Sequence, residues 1–295
     1  MVLTGLGVTA AVLAAAVGCQ PVTSSEAGLG TPGTAPAQSG RQVTVPRERH
    51  IVVVVMENHG YGEIAGSQEA PFINRLARQG ALFTASYAVA HPSEPNYLAL
   101  FSGSTHGVTN DQCPTTIMAP SLASELIAAR LSFAGYAEGL PAPGAPVCEQ
   151  GEYARKHAPW ADFPGIPRSA GQPFTRFPAS NFGRLPTVSF VIPNLCNDMH
   201  DCPVAVGDSW LSAHLRRYAG WARQHASLLI LTWDEDDGSQ SNHILTIIVG
   251  QRVRPGVYRQ RITHYDVLRT IEQAYHLRPT GEAASAAPIG VIWRT

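Results

Sequence analysis

The sequence predicts an α/β protein, a three-layer α/β/α sandwich with a mostly parallel central sheet. Stretches such as RHIVVVVMEN and HILTIIVG are continuous β-branched runs, the pattern of strands buried on both faces. Amphipathic segments with helical spacing separate these runs, so strands and helices alternate along the chain. With 295 residues, 44% of them hydrophobic and 15% charged, the chain can bury a large core.

The elements follow in order. MVLTGLGVTAAVLAAAVGC is apolar and uncharged and resembles a bacterial lipoprotein signal, with Cys19 as the lipidated residue. No Lys or Arg precedes the run, so either the start lies upstream of Met1 or the segment is a weak anchor. A transmembrane helix is the alternative. Residues 20–46, rich in Ser, Thr, Gly, Pro and Ala, read as a flexible tether, and 47–295 as the folded domain.

Within that domain RHIVVVVMEN is the first strand, and APFINRLARQG a helix with Phe72, Ile73 and Leu76 on one side and Gly80 as its stop. ALFTASYAVA reads as strand. In HPSEPNYLALF, Pro95 suits the first turn of a helix and Ser93 sits at its mouth, in a turn stiffened by two prolines. The plain reading of Ser93 is an N-cap. SLASELIAARL is helix; SFAGYAEGL and TVSFVIPN are strands. GDSWLSAHLRRYAGWARQH is a long helix opened by Asp208. SLLILTWDEDDG and HILTIIVG are strands, and THYDVLRTIEQAYHL closes the domain as a helix capped by Thr263. His264 reads equally as a site residue or as a helix-start histidine.

The formal charge of -1 argues against a nucleic-acid binder. Besides Cys19 there are four cysteines, which allow three pairings. Cys113–Cys148 with Cys196–Cys202 is favoured, because the second pair is close in sequence and would clamp NLCNDMHDCP. Zinc is the alternative, without any C-x-x-C spacing to support it. Such bridges belong to an exported protein.

In sheets of this kind ligands bind at the carboxyl ends of strands. There the sequence places Glu57-Asn58-His59, Asn194 leading to Asp198, His200 and Asp201, and the run Asp234-Glu235-Asp236-Asp237, with His243 opening the next strand. Oxygen-rich sets drawn from separate strands suit a divalent cation. An acidic turn is the ordinary meaning of DEDD. Glu57 resists that explanation, since a carboxylate directly after a run of apolar residues is partly buried and needs a partner.

VVVVMENHGYGEI, HPSEPNYLALFSG, YARKHAPW, IPNLCNDMHDC and LTWDEDDGSQSNHILTIIVG together resemble the bacterial and fungal phosphoesterase family of acid phosphatases and phospholipases C, within the alkaline phosphatase superfamily. The similarity spans residues 48–277. It implies a small phosphate-ester substrate and one divalent ion (Ca, Mg, Mn, Fe or Zn) held by Glu57, Asn58, Asp234 and Glu235 and touching Ser93. It also implies Ser93 as nucleophile, Asn110 as a phosphate contact, and Tyr153, Arg155, Lys156, His157 and His200 as contacts to the phosphoryl or leaving group. Two-metal members carry aspartate where this chain has Asn194, and histidine where it has Glu235. One ion is therefore expected, with His200 and His243 contacting substrate in place of a second. The chemistry expected is attack by Ser93, a phosphoserine intermediate and its hydrolysis, with His200 or His157 donating the leaving-group proton. A phosphomonoesterase is the favoured reading and a phospholipase C-type diesterase the alternative. A Ser/His/Asp esterase lacks its G-x-S-x-G elbow here. A non-catalytic surface lipoprotein would be expected to have lost a nucleophile or ligand, and both are present.

Overall fold

Five β-branched residues in a row, Ile51 to Val55, make β1 (His50–Met56) the middle of the protein: all seven of its residues are buried. The computed structural model describes residues 44–294. The expected signal segment, Cys19 and nearly all of the tether lie outside the described residues, and Val45 already packs into the core. On either side of β1, in parallel, run β7 (Val188–Ile192) and β8 (Ser227–Trp233). Beyond β7 come β3 (Phe133–Ala137) and β6 (Gly171–Pro173), both parallel. Beyond β8 come β9 (His243–Gly250), β2 (Ala81–Tyr87) and β10 (Gly256–Tyr258), with β11 (Ile262–Thr263) also on β2, completing a nine-stranded sheet.

Only β9 runs antiparallel to its neighbours β8 and β2. The link from Asp234 to Asn242 is too short for the crossover that a parallel pair requires, so β9 has to turn back. A separate two-stranded ribbon pairs β4 (Glu149–Gln150) with β5 (Tyr153–Ala154).

The alternation of β1 side chains separates two cores. Ile51, Val53 and Val55 pack with residues of α3 (Ser93–Ser102), α4 (Leu122–Ala128) and α6 (His264–Ala274). Val52, Val54 and Met56 pack with α1 (Tyr61–Ile64), α2 (Pro71–Gln79) and α5 (Val204–Ala222). Each fully buried aliphatic side chain contributes about 1.5–3 kcal/mol of transfer free energy. The sandwich has the three layers expected.

One boundary differs. The long helix begins at Val204, four residues before Asp208. Asp208 instead crosses to α2, accepting from Phe72 N at 3.0 Å and Ile73 N at 2.8 Å. Ala70 precedes that helix and has no side-chain acceptor, so its free amides are satisfied from another element. Thr263 caps α6 as expected, in a capping box with Asp266. The disulfides are Cys113–Cys148 and Cys196–Cys202, the favoured pairing.

Candidate active site

Met56 and Trp233 are opposite one another in the β1–β8 register, and Asp234 N continues the ladder by donating to Met56 O at 3.0 Å. Glu57 and Asp234 therefore leave two adjacent parallel strands at the same level, at their carboxyl ends. With Glu235 they form a buried group whose ligand oxygens all lie within 4.8 Å of one another. Asn58 has φ 60° and donates its amide to Asp234 Oδ1 at 3.1 Å. Asparagine is among the few residues at ease in that left-handed region.

The nucleophile candidate arrives from below the same edge. Ser93 is the first residue of α3, and its Oγ lies 3.1 Å from both Glu57 Oε2 and Glu235 Oε1. A hydroxyl has one proton, so it can donate to only one of the two at a time. One turn further along the same face, Tyr97 donates to Glu57 Oε1 at 2.5 Å.

Burial, followed by the charges of Asp234 and Asp198, pushes the Glu57 pKa well up. Burial and then Glu235 do the same to Asp234, and burial raises Glu235. Asp234 Oδ2 is buried without a donor. Among these three carboxylates only Glu235 has a close ion-pair partner, the imidazole of His91, and crowded buried charge of this kind is costly. Their oxygens are the hard donors that divalent cations take, so the residues present fit such an ion.

The structure brings His157 and Lys156 to this cluster, though not in equal roles. His157 is buried, with Nε2 3.0 Å from Glu57 Oε1, Nδ1 3.6 Å from Asp198 Oδ2, and its ring stacked on Tyr97 at 4.9 Å. Burial, and then the charge of Lys156, holds its pKa well below the ordinary value. Burial thus works against the expected role of His157 as proton donor, and its ring stands against Glu57. His200 lies nearer solvent, 6.4 Å from His157 between ring centres, with Nδ1 2.7 Å from Asp201 Oδ1 and its amide bonded to Asp198 Oδ1. Lys156 Nζ is 2.9 Å from Asp111 Oδ2. Burial opposes its charge, but the Asp111 bond together with the charges of Asp111, Glu57 and Asp234 raises its pKa.

Other expected contacts are engaged elsewhere. Asn110 is exposed and its Oδ1 accepts from Gln112 N at 3.0 Å in a turn. Arg155 Nη2 bonds to Asp162 Oδ1 at 3.0 Å and Ala161 O at 2.9 Å, which makes it an internal ion pair. His243 is stacked between Tyr61 and Tyr87 at 4.7 and 5.0 Å, with Nε2 on Thr84 O, and bonds to none of the cluster. His264 is a buried helix-start histidine on Trp233 O, held by burial at a pKa of about 4.

His91 and Asp111 escaped the sequence reading, whereas Asp198, already placed at a strand end, gains its partners here. His91 places Nδ1 2.5 Å from Glu235 Oε2 and Nε2 3.3 Å from Asp236 Oδ1; it stands inside the same HPS motif as Ser93. Asp198, in NDMHD, completes a second group with Glu57 and His157. Asp111 holds both Lys156 and the amide of Glu94, and its one sequence cue is adjacency to Asn110.

A serine at a helix start, set among buried carboxylates at the end of a parallel sheet, defines a hydrolase of the α/β/α class. Residues 66–278 match the Phosphoesterase family, and the chain belongs to it. A phosphatidylinositol-3-phosphatase of Mycobacterium tuberculosis is 53% identical over 251 residues, 84% of this chain and 84% of that protein. An acid phosphatase of Aspergillus fumigatus is 29% identical over 250 residues, 77% of this chain and 55% of that longer protein. Among solved structures, the lipoteichoic acid synthase LtaP of Listeria monocytogenes shares the fold, with a TM-score of 0.59 at 9% identity over 83% of this chain and 76% of that one. An alkaline phosphatase superfamily protein of Vibrio parahaemolyticus gives 0.54 at 13% identity, over 78% and 66%. The protein is a phosphoric ester hydrolase acting on a phosphate ester.

Proposed function

We propose that the protein is a metal-dependent phosphomonoesterase of the acid phosphatase kind, with Ser93 as its nucleophile. The observation that carries this is Ser93 Oγ held at 3.1 Å from two carboxylates that want for a cation. Glu57, Asp234 and Glu235 would hold a divalent ion, with Asn58 and Ser93 at its edge. When bound, such an ion supplies positive charge against developing negative charge on oxygen.

The remaining steps belong to the chain's own groups. The first turn of α3 fixes Ser93, and Tyr97 and His157 fix Glu57 beneath it. Ser93 Oγ attacks phosphorus in line, losing its proton toward the neighbouring carboxylates; the ester oxygen leaves and takes a proton from His200. Water then cleaves the phosphoserine, giving a proton to His200, while the carboxylate returns the first proton to Ser93 Oγ and phosphate is released. Lys156 contributes positive charge toward the phosphoryl oxygens. Replacing Ser93 by Ala is expected to reduce p-nitrophenyl phosphate turnover to background while leaving the melting temperature unchanged. Near-normal turnover in that variant sinks the mechanism.

A second reading has its own observation. A cavity of about 590 Å3 bounded by Leu140, Tyr153, Arg155, Trp160 and Phe163 lies along the segment that carries Lys156 and His157. It offers the apolar surface that the second substituent of a diester needs. Turnover across phosphoinositides, simple monoesters and a phosphocholine ester decides between the two. We propose further that the chain is exported and lipid-anchored at Cys19. Mass spectrometry of the mature N-terminus tests this, and an unmodified Cys19 rules it out.

A further inference from the structure

We propose that Asp111 tunes the site toward the singly charged form of its phosphate-ester substrate, by holding a fixed negative charge beside the nucleophile. This rests on the phosphomonoesterase reading.

Pro92 precedes α3 and offers no side-chain cap. Asp111 supplies the acceptor from a distant loop: its Oδ1 takes the amide of Glu94, the residue after Ser93, at 2.9 Å. Its Oδ2 takes Lys156 Nζ at 2.9 Å. One carboxylate thus lies against two positive features, a free helix amide and the Lys156 ammonium, and offsets part of the charge they present to the phosphoryl oxygens. The ionisable groups around Asp111 are Lys156, Glu94, Glu235 and His157, from three different parts of the chain.

A phosphate monoester loses its second proton at a pKa of about 6. Below that it brings one negative charge to the site, and above it two. Coulomb repulsion from a fixed carboxylate scales with that charge, so Asp111 penalises the dianion more than the monoanion. The selection acts on the ionisation of the substrate and needs no protein group to titrate. A diester carries one charge throughout and is indifferent to it.

The test compares kcat/KM for an alkyl phosphate monoester, β-glycerophosphate, at about pH 7.5 and about pH 5, either side of a second pKa of about 6. Asp111→Asn keeps an oxygen for the Glu94 amide and removes the charge. It is expected to raise the high-to-low pH ratio about tenfold, the equivalent of one pKa unit. Lys156→Met is expected to lower the ratio, the double variant to return toward wild type, and Asp111→Glu to keep it. With bis(p-nitrophenyl) phosphate, followed at high enzyme concentration, Asp111→Asn is expected to leave the ratio where it was.

An unchanged ratio with the monoester, or an equal change with the diester, overturns the inference and leaves the monoesterase reading standing. Wild-type protein without p-nitrophenyl phosphatase activity overturns both. If Asp111→Asn fails to fold by circular dichroism, the Lys156→Met arm decides: no downward change overturns the proposal.

Discussion

At the scale of single residues, Asp234 has the sharpest consequence. One of its oxygens takes the Asn58 amide and the other is buried without a donor, beside Glu57 and Glu235. Asp234→Asn keeps the Asn58 bond and removes one of three crowded acids. Without metal the variant is expected to melt higher than wild type, because it relieves uncompensated burial. With a divalent ion the order reverses: an ion at 100 times its Kd stabilises wild type by about 2.7 kcal/mol, and the variant by less. Calorimetric titration and paired melts check this; identical melts with and without metal refute the cation site. The same cluster shows where reading residues from sequence stops. Glu57, Ser93 and Glu235 were legible because each adjoins a strand end or a stiff turn. Arg155, Asn110 and His243 share those neighbourhoods, but Asp162, Gln112 and the two tyrosines had prior claims on them. Such partners are set by what faces a side chain across the fold, which spacing along the chain does not encode.

At the scale of elements, two helices are capped from outside their own segments. Asp208 of α5 holds the first amides of α2, and the Asp111 loop holds that of α3. Asp208 was read from sequence as the start of its own helix because aspartate is a common N-cap; the structure uses the same chemistry on a neighbour. Asp208→Ala leaves two buried donors unpaired, and is expected to cost about 2 kcal/mol or more. Urea unfolding measures it, and a loss below about 0.5 kcal/mol would mean the bonds add nothing beyond an ordinary surface site. Strand positions were the most legible part of the fold, since β1, β7 and β8 are apolar on both faces and nothing else explains such runs. The reversed direction of β9 was less so: it follows from the length of the link before it, which matters only once its partners are known.

At the scale of the whole molecule, buried acids outside the site set how stability depends on pH. Glu48 and Glu272 are both buried, and burial raises each from 4.5 to about 7, against opposing help from Arg252 for the first and Thr280 for the second. Between those values the native protein keeps protons that the unfolded chain has released. Stability from these groups is full below about pH 4.5 and is lost as pH rises through about 7, at up to about 1.4 kcal/mol per pH unit per group. The melting temperature is expected to fall between about pH 5 and pH 8, and Glu48→Gln with Glu272→Gln to flatten that fall; an unchanged slope in the double variant refutes the assignment. These two groups favour acid, where phosphate monoesters are singly charged. One covalent feature bears on where the catalyst can operate at all. Cys113, two residues from Asp111, is joined to Cys148, whose carbonyl takes the Arg155 amide just ahead of Lys156. Reduction would cut that stitch and let the acid and the ammonium drift apart, so discrimination between singly and doubly charged esters depends on the bridge staying closed.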